Sequence, residues 1–325
     1  MRKTALLAAV LLASTVMPAA SAEIELKAIS GFPKNYIFTR SFESYIKKVN
    51  ERGAGVVKVT LIGGVEAIPP RQQATALRNG IVDILYQPPN FYLGLIPEGD
   101  VFSATKKTPV ELRANGGWDF VSGVFKEKMK AHLLGWFDSG IGMNLFLSAP
   151  PEQNADGALN LKGVKLRSSP IFNEFFKELR ATNVDMAPSE IYPALERGII
   201  NGLGTPIITV LDFGWDKFLR YRVDPAFFQA DVLTIVNIDK WNSLPEPARK
   251  ILQDTAVEFE KESRAYWQEE QQRVKKEQAE KGIKPFVLEG KAAEIFLKSA
   301  YGSSWARIEK SSPNAFSKLR EYFGE

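Results

Sequence analysis

The chain contains no cysteine and only one histidine, His132. Without cysteine there is no thiol nucleophile, no cysteine-ligated zinc, no iron–sulfur cluster and no disulfide. With one histidine there is no H-E-x-x-H metal site, and any serine–histidine chemistry would rest on His132 alone. His132 falls between Lys130 and Leu133, where a helical pattern gives way to a strand pattern, and it reads as a structural residue. No G-x-S-x-G elbow occurs. No pair of carboxylates stands out as a glycosidase acid and nucleophile. An excess of one charge is also missing: the formal net charge is +4 with both signs mixed along the chain, which is not a nucleic-acid-binding balance.

Long apolar runs are confined to the start. Arg2 and Lys3 precede the run Ala5 to Val16, and Ala20-Ser21-Ala22 forms a small-residue A-x-A site. The order of these three regions predicts an export signal over residues 1–22, cleaved before Glu23. Loss of Arg2 and Lys3 would bring the net charge to about +2. The rest of the chain has no run long enough to cross a bilayer and no cysteine to carry a lipid. The expected location is therefore the periplasm. Roughly 300 residues suffice for two domains with cores that need no disulfides.

What is present is an alternation of strand and helix patterns. Ile24, Leu26 and Ala28 alternate as in a strand, which Gly31-Phe32-Pro33 ends. Tyr36 to Val49 places Phe38, Phe42, Tyr45, Ile46 and Val49 at helical spacing. Strands follow at Val56–Leu61 and Ile81–Tyr86, with a helix over Gln72–Arg78 between them. One long helix is expected over Val110–Lys130, then strands at Leu133–Phe137 and Met143–Leu147. Ala149 to Asn160 reads as the surface turn into a second domain. The βα pattern then restarts: strand Val164–Arg167, helix Pro170–Leu179, strand Val184–Met186, helix Ser189–Arg197, strand end Ile199–Gly202. Val232–Asn237 is a further strand. Ser243-Leu244-Pro245-Glu246 has capping-box spacing before a charged helix that runs to Lys281. Its apolar residues are too irregular for a heptad seam, so it is expected to lie along both domains.

The expected fold is thus α/β with largely parallel sheets. Residues 23–145 form a first lobe, completed by part of 235–325. Residues 146–234 form a second lobe, 243–281 a long connecting helix, and 282–325 a C-terminal helical segment.

Three stretches carry a family resemblance. Arg71-Gln72-Gln73-Ala74-Thr75-Ala76-Leu77-Arg78-Asn79-Gly80-Ile81-Val82-Asp83 is similar to a helix, Gly turn and Asp-bearing strand. Leu161-Lys162-Gly163-Val164-Lys165-Leu166-Arg167 resembles an L-K-G-x-K-I/L-R signature. Ser189 to Gly202 resembles E-x-Y-x-A-L-x-x-G-x-V/I-D/N-G. In this order, after an export signal, they resemble the DctP-type solute-binding proteins of TRAP (tripartite ATP-independent periplasmic) transporters. The resemblance covers essentially the whole mature chain. It implies a two-lobed, Venus-flytrap periplasmic binding protein with the ligand in a cleft between lobes. It also implies small and large TRAP membrane subunits as partners and binding without catalysis.

Arg167 is the first candidate contact. It ends a predicted strand, where α/β ligands bind, and its planar fork can grip a carboxylate with two charge-assisted hydrogen bonds. The resemblance implies that it forms a salt bridge with the ligand. The family's second polar contact is an Asn in a stretch like D-G-x-E-N-P. Here Asn201-Gly202-Leu203-Gly204-Thr205-Pro206 puts Thr205 in the Asn place and Gly204 in the acidic place. In some relatives a further Arg stands where this chain has Asn144. One cation suits one carboxylate, so a small organic monocarboxylate is expected, with C4-dicarboxylate binding or a secreted enzyme acting on a small acid as alternatives. Neither a metal nor a cofactor is expected, and the protein is expected to be a monomer. Tyr86 and Gln87 after the third strand, Phe32 at the first strand's end, and Glu66 after the Gly pair are the remaining candidate contacts. Trp136 and Trp215 read as core.

Overall fold

A computed structural model describes residues 22–324. The expected export signal, Ala22 apart, lies outside these residues. Thirteen strands are formed among the described residues: β1 (Ile24–Ser30), β2 (Val57–Gly63), β3 (Ile84–Gln87), β4 (Ala131–Trp136), β5 (Gly142–Leu147), β6 (Glu152–Gln153), β7 (Leu159–Asn160), β8 (Lys165–Ser168), β9 (Thr182–Asp185), β10 (Gly202–Pro206), β11 (Tyr221–Gln229), β12 (Leu233–Asn237) and β13 (Lys284–Val287). They build two main sheets, β2-β1-β3-β12-β4 and β13-β11-β5-β10-β8-β9, and one small hairpin, β6-β7. Each main sheet is the centre of one lobe. The amphipathic helix Ile37–Arg52 buries Phe38, Phe42, Tyr45, Ile46 and Val49. These are the residues whose spacing predicts it.

The main sheets are mixed rather than largely parallel. β1 pairs with β2 and β3 in parallel, but β12 runs antiparallel to both β3 and β4. In the second sheet β5 runs antiparallel to β10 and β11. The antiparallel strands flank two of the places where the chain changes lobes, residues 137–141 and 230–232, and a strand arriving from the other lobe is not bound to the βαβ direction.

These crossings also move the domain boundary. The boundary expected at residue 145 falls inside β5, which is hydrogen-bonded into the second sheet. The stretch 149–160, expected as the inter-domain turn, instead carries the β6-β7 hairpin. β12, split by the expected boundary at 234, belongs wholly to the first sheet.

Besides β6 and β7, two further strands are additions to the expected pattern. β11 contains Pro225 and a register shift between Val223 and Phe228, so its alternation is interrupted where a sequence reading needs it. β13, inside the segment expected to be helical, is a short edge strand containing Pro285. The helix expected over 110–130 is three pieces, Pro109–Ala114, Gly117–Val124 and a π-helical turn at Phe125–Met129. The break falls at Gly116, whose φ of 86° takes the chain out of the helix.

Helix Glu246–Glu280 has 35 residues, about 52 Å of rise, and touches both lobes. Glu260 accepts hydrogen bonds from Trp136 N and Arg113 in the first lobe. Gln278 bonds Arg222 and Ile207 O in the second. Its start is not capped by Ser243, whose hydroxyl donates back to Lys240 O at the end of the short helix Ile238–Ser243. No helix among the described residues is long and apolar enough to cross a membrane.

Candidate functional site

The parallel strands β1, β2 and β3 of one sheet and β8, β9 and β10 of the other end toward a shared cleft, where ligands bind in open α/β sheets. A cavity of about 460 Å³ lies there. The first lobe contributes Phe32, Tyr36 and Phe38 after β1, Val65 and Pro69 after β2, and Pro88, Asn90 and Phe91 after β3. The second lobe contributes Arg167 from β8, Phe172, the turn Ala187–Tyr192 after β9, Thr205 from β10, and Phe213 and Trp215. Ala230, Asp231 and Val232 of one crossing complete the wall.

Arg167 stands in β8 with its side chain toward the cleft. Its Nε and Nη2 donate to Met186 O at 3.4 and 3.3 Å. These contacts lie outside the usual range for N–H···O bonds. Among the described residues no carboxylate forms an ion pair with it. Burial pulls its pKa down to about 10, opposed by the charge of Asp185 and assisted by that of Arg71. It stays protonated at neutral pH: a half-buried cation with weak internal partners, in a cavity lined by aromatic rings. Phe32 stacks on Phe38 at 4.9 Å, Tyr36 on Phe213 at 4.6 Å across the lobes, and Phe213 on Trp215 at 4.7 Å.

Of the seven candidate contacts, the cleft brings together Arg167, Thr205 and Phe32. Thr205 shares a 2.6 Å hydrogen bond with Thr209, so its hydroxyl already has one partner. The other four face elsewhere. Asn144 alternates with the cleft-lining Met143 on β5 and therefore points to the opposite face, where it donates to Val223 O and Asp224, each at 2.9 Å. Gln87 lies beneath Gly31, donating to Pro70 O and Gln73. Gly31 sits so close over it that an added Cβ would meet Gln87 Cγ at 2.6 Å. Tyr86 is in the core and its hydroxyl donates to Asp138 in the first crossing, an acceptor it shares with Ser41 and Trp267. Glu66 is exposed and accepts from Gly64 N at 2.7 Å, closing its own turn.

Trp136 is core, donating to Ala230 O. Trp215, expected as core, is buried yet lines the cleft. His132 stacks on Trp241 at 3.8 Å and hydrogen-bonds Gln253. Burial lowers its pKa, so it is a neutral packing residue.

Sequence reasoning passes over Tyr36, Asn90, Phe91, Tyr192 and Asp231. Asn90 follows a Pro pair at a strand's end, a signal of the same kind that marks Phe32. Asp231 carries no such mark. It becomes visible only through burial: it is 2% exposed, its Oδ2 has no partner, and burial together with Asp100 pushes its pKa up to about 7. Gly204, in the place where relatives carry an acid, packs between rings. A Cβ there would come within 3.0 Å of Phe176 and of Phe227, which leaves no room for a carboxylate.

Two α/β lobes with an aromatic-lined cleft and one half-buried cation between them have the form of a ligand-binding receptor. Sequence comparison makes the class specific. The chain belongs to the bacterial extracellular solute-binding proteins of family 7 (DctP), which match residues 31–300. It is a TRAP-type substrate-binding protein, and that family transports rather than catalyses. A solute-binding protein of Chromohalobacter salexigens is 23% identical over 275 residues, 80% of this chain and 78% of that protein. Among solved structures, the Bordetella pertussis receptor DctP7, which binds pyroglutamic acid, superposes with a TM-score of 0.79 at 15% identity, over 93% of this chain and 99% of that one. A marine metagenome TRAP protein specific for aromatic acids, in complex with metahydroxyphenylacetate, gives 0.76 at 21% identity, over 93% and 98%.

Proposed function

We propose that this protein captures a small organic monocarboxylate with an aromatic or apolar body in the periplasm and delivers it, as a monomer, to TRAP membrane subunits. The observation that carries the reading is the half-buried Arg167 guanidinium, free of any ion pair among the described residues, in a cleft walled by aromatic side chains. A carboxylate would replace its long contacts with two short charge-assisted bonds. The aromatic walls would cover the rest of the ligand. The acids bound by the two structural neighbours agree with this chemistry. With one cation in the cleft, a second carboxylate has no evident holder.

Ligand in the cleft touches both lobes and so favours closure. Thermal unfolding with a panel of acids tests the proposal. Aromatic monocarboxylates such as phenylacetate and 3-hydroxyphenylacetate are expected to stabilise the protein without turnover, by about 2.7 kcal/mol at a hundred times Kd, and to shrink its radius in solution scattering. Stabilisation by succinate and malate alone, or appearance of a product, sinks the reading in favour of a dicarboxylate receptor or an enzyme.

Closure has a visible latch. Asp212 of the second lobe accepts from Ile37 N at 3.1 Å, at the start of a first-lobe helix, and pairs with Arg40 at 3.4 Å. Arg40 is half exposed, so the pair is worth only about 0.2–1 kcal/mol. Asp212→Ala is expected to weaken binding of every ligand by about twofold to fivefold with no change in preference among them. Unchanged affinities in calorimetry would show that the latch adds nothing to closure.

A further inference from the structure

We infer that the cleft reads a hydrogen-bond donor on its ligand through Asp231, so that it takes acids bearing a hydroxyl, amide N–H or ammonium group besides the carboxylate. This deepens the reading given for Arg167 and rests on it.

Asp231 is the middle residue of the crossing between β11 and β12 and lines the same cavity as Arg167. Its place is rigid. The adjoining Ala230 donates its N–H to Ile141 O at 2.8 Å and accepts from Trp136 Nε1 at 3.1 Å. The carboxylate is buried, and Oδ2 has no hydrogen-bond partner. Among the described residues no ion pair neutralises it: the charge that acts on it most is Asp100, of the same sign, which itself holds Arg307 at 2.6 and 3.1 Å. Tyr92, which also feels Asp231, turns its hydroxyl to Gln87 O. A second acceptor points the same way: Asn90 Oδ1 is buried, without a partner, and Asn90 lines the same cavity.

Leaving a buried acceptor unpaired is costly, and a carboxylate more so than a neutral group. Beside its own backbone N–H, which favours the charged form, no hydrogen bond is made to the carboxylate's Oδ2. A ligand donor would satisfy it, and the same site would reject a skeleton that lacks the donor. The stored cost would then become selectivity.

The test uses acids of one skeleton: 3-phenylpropanoate without a donor, and 3-phenyllactate, phenylalanine and 3-(3-hydroxyphenyl)propanoate with one. Calorimetry at pH 8 compares wild type, Asp231→Ala, the isosteric Asp231→Asn, and Arg167→Ala. At least one donor-bearing acid is expected to bind wild type about tenfold or more tighter than the parent acid. Asp231→Ala is expected to bring that ratio to within about twofold. Arg167→Ala should lose both kinds. A ratio near one in wild type, a ratio unchanged in both Asp231 variants, or no binding by any acid of the set overturns the inference. Undiminished binding by Arg167→Ala instead overturns the carboxylate reading, so the two failures are distinct.

A ligand-free measurement guards against folding defects. In the folded chain the Asp231 carboxyl titrates at about 7, above its unfolded range near 4. The buried charge therefore destabilises the fold at high pH, and that cost fades as falling pH protonates the folded form. Asp231→Asn should melt higher than wild type at pH 8, by a margin that shrinks toward pH 5. An equal or lower melting temperature at pH 8 would mean that the fold itself satisfies the carboxylate, and the inference falls.

Discussion

Arg167→Ala is expected to weaken binding of the cognate acid by about 2–5 kcal/mol, a loss of roughly thirtyfold to several thousandfold. The magnitude follows from the position. The guanidinium is already half-buried in the unliganded fold, and burial lowers its pKa. The protein thus bears the cost of removing the cation from water before ligand arrives, and the carboxylate meets a charge with only weak competition from Met186 O. Arg167→Lys keeps the charge and loses the fork, so it should fall between wild type and alanine. Stability of the ligand-free protein should change little or rise in Arg167→Ala, because a poorly paired buried charge is removed. Calorimetry and melting of the same samples separate the two effects. Equal affinity of wild type and Arg167→Ala for every stabilising acid would end the proposal.

The largest stability loss is expected at Arg113→Ala, about 3–5 kcal/mol. Arg113 grips Glu260 through Nε at 3.0 Å and Nη2 at 2.9 Å, and Glu260 also accepts from Trp136 N at 2.8 Å. Glu260 is 2% exposed, so removing its partner strands a charge in the interior. Burial already pushes the Glu260 carboxyl upward, against the pull of Arg113. The guanidinium in addition lies 3.8 Å over the Trp118 ring, contact that alanine cannot replace. Adding Glu260→Gln should recover much of the loss, because the amide keeps an acceptor for Trp136 N without a charge. Urea unfolding of the single and double variants checks this. A double variant no more stable than Arg113→Ala would place the effect in the Trp118 contact rather than in the stranded carboxylate. Because this knot joins the long helix to the first lobe only, ligand affinity should hardly move.

The helices and strands with strong periodicity were legible from residue order. Helix Ile37–Arg52 and strands β1 and β2 have apolar positions that repeat with the period of the element, and burial largely follows that repeat, whereas β4 and β12 are short runs buried on both faces. The signature around Arg167 was legible for a different reason: it is a contiguous string. What was not legible depends on pairing between distant segments. Nothing in Gly142–Leu147 says which sheet it joins; its partners β10 and β11 lie some tens of residues away and decide the boundary. Asn144 is one residue from the cleft-lining Met143, and only the register of β5 turns it away.

By itself, then, the order of residues determined the α/β class, the family, and a cation at the end of a strand, because each is written in a local pattern of period, turn or motif. Tertiary structure alone decided which candidates share a cavity, where the chain changes lobes, and that Asp231 is a buried acceptor without a partner. Burial and electrostatic neighbourhood arise from segments brought together across the fold, such as 100, 231 and 307, and no local pattern records who those neighbours will be.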